Sequence, residues 1–149
     1  MYRKDFIKSC GFACMGGLGM SALLQSCGPA KLMTGKISGD DLIIPVNNFQ
    51  TENGRQKGYK KYLVFEHEML LYPICVYRFS ETEYSALWMR CTHQGTELQV
   101  FGDTLQCPAH GSEFTNKGDV HNGPAENSLR SFPVRIENNQ LKISLKAPR

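Results

Sequence analysis

The sequence predicts an all-β fold, an antiparallel β-sandwich with a small subdomain inserted between its strands. Three observations carry this. Short runs rich in β-branched and aromatic residues recur from residue 42 onward, bounded by Gly, Pro, Asn, Asp or Ser. In the last run Leu141, Ile143 and Leu145 alternate with Lys142 and Ser144, the period of two of a half-buried strand. Outside the first 28 residues no segment shows the apolar stripe of an amphipathic helix, and there is no internal repeat.

Taken in order, residues 42–46 (LIIPV) read as a short strand, with Pro45 placing it at an edge because proline cannot donate to a ladder. Residues 47–58 read as polar loop and 62–65 as a second strand. Residues 72–79 and 84–91 form two further runs separated by Ser80–Glu83, a hairpin signal. The second run delivers Cys91 into a loop. Residues 98–101 and 104–106 flank a tight turn at Gly102-Asp103, and 131–136 and 140–145 flank Glu137-Asn138-Asn139. The sandwich is therefore expected over about 42–90 and 130–146, with the inserted subdomain over about 91–128.

The start of the chain is different. Basic Arg3, Lys4 and Lys8 precede an apolar, glycine-rich stretch from Gly11 to Leu24. That core falls short of the ~20 residues that span a bilayer and suits the apolar region of a signal peptide. Residues 3–8 (RKDFIK) resemble a twin-arginine export motif with Lys4 in place of the second arginine. Residues 24–27 (LQSC) resemble a bacterial lipobox, in which cleavage leaves a lipid on Cys27. Residues 1–26 are expected to be a signal peptide, 27–41 a flexible tether and 42–149 the folded domain. An uncleaved anchor is the other possibility.

Two ligand clusters lie within residues 91–112. Cys91-Thr92-His93 is followed by Gly95, and Cys107-Pro108-Ala109-His110 by Gly111 and Ser112. Each supplies one thiolate and one imidazole, and the hairpin between them can bring the four together. A structural zinc site would accept such a set. The pattern C-x-H…C-x-x-H, with H-x-G in one loop and H-G-S in the other, resembles the Rieske [2Fe-2S] family, and the likeness extends over nearly all of the chain after residue 26. The resemblance implies one [2Fe-2S] cluster, with Cys91 and Cys107 on one iron and His93 and His110 on the other. It implies that Gly95 and Gly111 allow turns that point backbone N–H groups at the anionic cluster. It implies that Ser112 hydrogen-bonds a bridging sulfide, and that Gly123-Pro124 forms the loop covering the cluster from a third side.

The departures bear on tuning. The family's respiratory members carry one further cysteine in each loop, joined as a disulfide; those positions here are Thr96 and Ala109. The tyrosine that often follows the serine by two positions is here Phe114. The expected reduction potential is therefore below that of the quinol-oxidising members. Of the remaining residues, Cys75 reads as a small buried hydrophobe and His67 and His121 as bystanders, and no structural disulfide is expected.

Composition bounds the partners. Arg3, Lys4 and Lys8 face one Asp5 in residues 1–26, so only +1 of the formal net charge of +3 belongs to the rest. A near-neutral body excludes a basic face for nucleic acid. The expected function is electron transfer at the outer face of the cytoplasmic membrane, held there through Cys27, with redox proteins as partners. A place as a small subunit of a larger oxidoreductase is compatible, such as a quinol–cytochrome c reductase or an arsenite-oxidase-like enzyme. Free-standing substrate oxidation is not expected, because no second set of iron ligands remains.

Overall fold

The computed structural model describes residues 32–53 and 56–146. Within them the chain is almost entirely strand: β1 (Leu32–Thr34), β2 (Lys36–Ser38), β3 (Asp41–Pro45), β4 (Gln50–Asn53), β5 (Gln56–Tyr59), β6 (Tyr62–Glu66), β7 (Ile74–Arg78), β8 (Tyr84–Trp88), β9 (Gln99–Phe101), β10 (Thr104–Gln106), β11 (Glu113–Thr115), β12 (Val120–Asn122), β13 (Ser131–Phe132), β14 (Val134–Glu137) and β15 (Gln140–Ser144). A single 3-10 turn, Val46–Phe49, is the one helical piece among the described residues. No helix there is long and apolar enough to cross a membrane.

Three sheets and a hairpin result. The central sheet has five strands in the order β1-β6-β7-β8-β13. A second runs β14-β15-β3-β2, a third, smaller one β12-β11-β10-β9, and β4-β5 is a hairpin by itself. The central sheet is buried on both faces. Leu63 and Phe65 of β6, Ile74 and Val76 of β7 and Ala86 of β8 pack with Leu42, Ile44, Leu141 and Ile143 of the second sheet. The alternate residues Val64, Cys75, Tyr77 and Leu87 pack with Leu98, Leu105 and Phe114 from the small sheet and its approach. Successive side chains of a strand point to opposite faces. A strand covered on both sides therefore has no polar face, which is why β7 reads as one unbroken apolar run.

The small sheet β9 to β12 falls between β8 and β13 in the chain. Several boundaries and pairings differ. The stretch expected as tether is strand over its described part: β1 pairs parallel with β6, and β2 pairs antiparallel with β3. Residues 27–31 and the leader lie outside the described residues. The segment expected as polar loop holds the β4-β5 hairpin, against which Arg78 stacks on the Tyr59 ring at 3.8 Å. β3 is an interior strand, not an edge. Pro45 is tolerated because β2 pairs only with residues 41–43, so Pro45 faces a partner on the β15 side alone. The run 131–136 is two strands in different sheets: β13 pairs with β8 and β14 with β15. Pro133, with no N–H, sits at the break.

Candidate metal centre

Both candidate ligand loops are six residues long and close in the same way. The first, Cys91 to Thr96, lies between the bridged pair Arg90 and Glu97. The second, Cys107 to Ser112, lies between the paired Gln106 and Glu113, whose side chains also bond at 3.0 Å. In each, the first residue's N–H donates to the carbonyl of the sixth, Cys91 to Thr96 and Cys107 to Ser112, both at 2.8 Å. The glycine N–H in fifth place donates back to the cysteine carbonyl, at 2.9 Å for Gly95 and 3.0 Å for Gly111. Those glycines have φ of +76° and +77°. That region is unstrained only for glycine, so the turn chemistry read from the sequence is the geometry found.

The four sequence-predicted ligands fall into two pairs. Cys91 and Cys107 are buried and join the core shared with the central sheet. Both are free, as is Cys75. Burial raises the Cys107 thiol, but the backbone N–H groups of Ala109 and His110, the Cys91 thiol and the Thr96 hydroxyl more than offset it. The thiol is held below its ordinary value. A sulfur met by two backbone N–H groups sits in an anion-binding nest. His93 and His110 are exposed, with ring centroids 5.1 Å apart at 85°. A buried cysteine pair and an exposed imidazole pair suit a two-metal cluster with two ligands on each metal.

The third side is closed by the loop after β12. Gly123-Pro124 is exposed, its peptide bond is cis, and Ala125 behind it is buried. Two hydroxyls tie this loop to the ligand loops. Ser112, fully buried, accepts from the Ala125 N–H at 3.0 Å. Thr92 donates to the Asn127 carbonyl at 2.6 Å. A hydroxyl has one donor besides its acceptor lone pairs, so Ser112 keeps its proton for a further acceptor. Phe114 is fully buried in the core under the loops and brings no polar atom there.

His67 and His121 stand apart from the centre. His67 accepts the Met69 N–H at 3.1 Å within its own turn. His121 is exposed on β12. Cys27 lies outside the described residues. Residues that the sequence reading did not single out include Tyr72, whose hydroxyl donates to the Gly95 carbonyl at 2.6 Å. Thr96, noted only for the cysteine it replaces, is among the groups that lower the Cys107 thiol. The motif itself contains Thr92 and Thr96, but nothing local to Tyr72 announces its reach across 23 positions.

A family model described as the Rieske [2Fe-2S] domain matches residues 46–133. No curated protein sequence matches the chain. Among solved structures, the plasma membrane Rieske protein PetC3 of the cyanobacterium Synechocystis PCC 6803 is 25% identical. That match covers 56% of this chain and 86% of the other at a TM-score of 0.49. The ferredoxin of Sphingomonas yanoikuyae B1 is 23% identical over 56% of this chain and 84% of its own, with a TM-score of 0.44. A complex of reduced oxygenase and oxidized ferredoxin in carbazole 1,9a-dioxygenase includes a chain 22% identical, covering 60% and 84% at 0.47.

Proposed function

We propose, for a chain that belongs to the Rieske [2Fe-2S] domain family, that Cys91 and Cys107 bind one iron and His93 and His110 the other. Membership implies electron transfer through a [2Fe-2S] cluster. The observation that supports this assignment of ligands best is the two-plus-two geometry: two buried cysteines in one core cluster on one side, neighbouring exposed imidazoles on the other. The cluster, when bound, takes up and gives back one electron at a time. The protein's own residues set the terms of that exchange. The N–H groups of Ala109 and His110 neutralise thiolate charge, and neutral imidazoles in place of two thiolates lower the net negative charge further. The exposed imidazole pair is the port for electrons, and Pro108, Ala109 and Pro124, all exposed, form its uncharged surround.

Metal analysis of the purified protein tests this reading. The expected result is a coloured protein with about two irons and two acid-labile sulfides per chain. A colourless protein with one zinc and no labile sulfide would end it. Thr96, Ala109 and Phe114 remove the loop disulfide and one donor to a thiolate. The midpoint potential is therefore expected below the top of the Rieske range, which spans roughly −150 to +300 mV.

The cell-envelope location belongs to the same proposal. A lipid on Cys27 would hold the domain at the outer face of the cytoplasmic membrane, a reading supported by the LQSC sequence after a basic, apolar leader. Because β1 already begins at Leu32, the span from the lipid to the folded domain would be at most about 18 Å at the full extension of a chain. The domain would then work close to the bilayer, with membrane-bound redox proteins or a larger oxidoreductase as its donor and acceptor. Metabolic labelling with a fatty acid checks the anchor: label on the parent chain and none on Cys27→Ala is expected, and equal label on both contradicts it.

A further inference from the structure

The two ligand loops have the same backbone plan but unequal foundations. The second grows from β10 and β11, joined by three residue pairs and flanked by β9 and β12. The first closes on one isolated bridge, Arg90 to Glu97. It therefore depends more on contacts from outside. Besides the bond from Thr92 to Asn127, it receives one from a side chain of the sandwich: the Tyr72 hydroxyl donates to the Gly95 carbonyl at 2.6 Å. Tyr72 lies just before β7, and Pro73, next in the chain, is buried and receives the Met89 N–H at 2.9 Å. The Tyr72 ring meets Trp88 edge-on, with centroids 5.3 Å apart at 90°. The hydroxyl is thus carried on a braced ring at the start of a central strand. The Gly111 carbonyl, the equivalent position in the second loop, has no such donor among the described residues.

We infer that Tyr72 is a positioning residue for the cluster: its hydroxyl fixes the plane of the Gly95–Thr96 peptide and so aims the Thr96 N–H at the sulfur side of the site. A trans peptide holds its C=O and N–H in opposite directions. With the Gly95 oxygen drawn toward Tyr72, the Thr96 N–H points away from Tyr72. That N–H makes no backbone hydrogen bond among the described residues. The Thr96 hydroxyl is among the groups that lower the Cys107 thiol, so the residue belongs to the sulfur side of the site. Glycine at φ +76° has few steric barriers to rotation of this peptide. Without the hydroxyl, the plane is free to turn, and a turned plane would present a carbonyl where a donor had been. A carbonyl facing an anionic cluster disfavours the added electron.

This inference rests on the ligand assignment above, and its test separates the two. Tyr72→Phe keeps the ring and its contact with Trp88 and removes only the hydroxyl. In the full-length, cluster-loaded protein the expected result is a lower midpoint potential at unchanged iron content. Hydrogen–deuterium exchange should be faster in residues 91–97 and unchanged in 107–113. A second variant, Trp88→Phe, keeps the hydroxyl but loosens its brace, and should move both readouts in the same direction by less. A potential and an exchange pattern equal to the parent's would overturn the inference. So would equally faster exchange in both loops with a fall in melting temperature, since that marks a general loss of stability. If the parent chain holds no cluster, the ligand assignment fails, and the exchange comparison still shows whether Tyr72 holds the first loop.

Discussion

Replacing Cys107 by alanine yields a colourless protein whose iron content falls to background, while Cys75→Ala keeps its iron and visible spectrum. The contrast is informative because both cysteines are buried and both are free. Their surroundings differ. Cys75 sits in the middle of β7, where burial raises its thiol far above the ordinary range and nothing offsets the rise enough to favour a thiolate. Cys107 is met by two backbone N–H groups, the Thr96 hydroxyl and the Cys91 thiol, which together favour the thiolate form. The thiolate is the form that binds metal. On the proposed assignment, loss of Cys107 would leave one iron with a single protein ligand, and the donors that face its sulfur would lose their acceptor. The alanine chain should also melt lower, because cluster binding and folding are coupled. Absorption spectra and iron assays on the three purified chains decide the matter. Equal iron in the parent and Cys107→Ala would remove Cys107 from the ligand set.

The second large effect is on the fold. Phe114→Ala should destabilise the domain by about 3–5 kcal/mol, the usual cost of emptying a fully buried phenylalanine site. Phe114 is 0% exposed and packs in the core that joins the small sheet to the central one. That core also contains Cys91 and Cys107, so the cavity would open directly beneath the ligand loops. Domains of this size are stable by only about 5–15 kcal/mol, so the loss is a large share of the total. Urea unfolding followed by circular dichroism and by cluster absorbance should show the two signals shifting together to lower denaturant. A midpoint within experimental error of the parent's would show that Phe114 does not support this core. A shift in one signal alone would show that the small sheet and the sandwich unfold separately.

The ligand loops were legible in the sequence because everything that defines them is local. Cys91, His93, Cys107, His110 and the glycines at 95 and 111 fix residue type, spacing and turn within two short stretches, and the hairpin between them has its own Gly102-Asp103 signal. Most central strands were legible for a related reason, since long apolar runs such as β7 announce burial without needing a partner. The misses are all matters of partnership. β1 and β2 have three residues each, too few for any period to show, and their pairing with β6 and β3 is what makes them strands. The β4-β5 hairpin is built from polar residues that read as loop, and it is secured from outside by Arg78 on Tyr59. Pro45 suggested an edge because the sequence does not reveal that β2 ends before reaching it. Tyr72 is the functional counterpart of these misses. Its residue type and neighbours are unremarkable, and its contact with Gly95 exists only because β7 and the first ligand loop meet in the fold.

The central claim is the two-plus-two division of ligands between two irons. Mössbauer spectroscopy of the reduced, iron-57-loaded protein tests it most directly, since a thiolate-ligated and an imidazole-ligated iron have different electron densities. The predicted result is two iron signals of equal area, one ferric with sulfur ligation and one ferrous at the imidazole side, where neutral ligands favour the added electron. Two equivalent irons, or a single iron site, would contradict the assignment of Cys91 and Cys107 to one metal and His93 and His110 to the other.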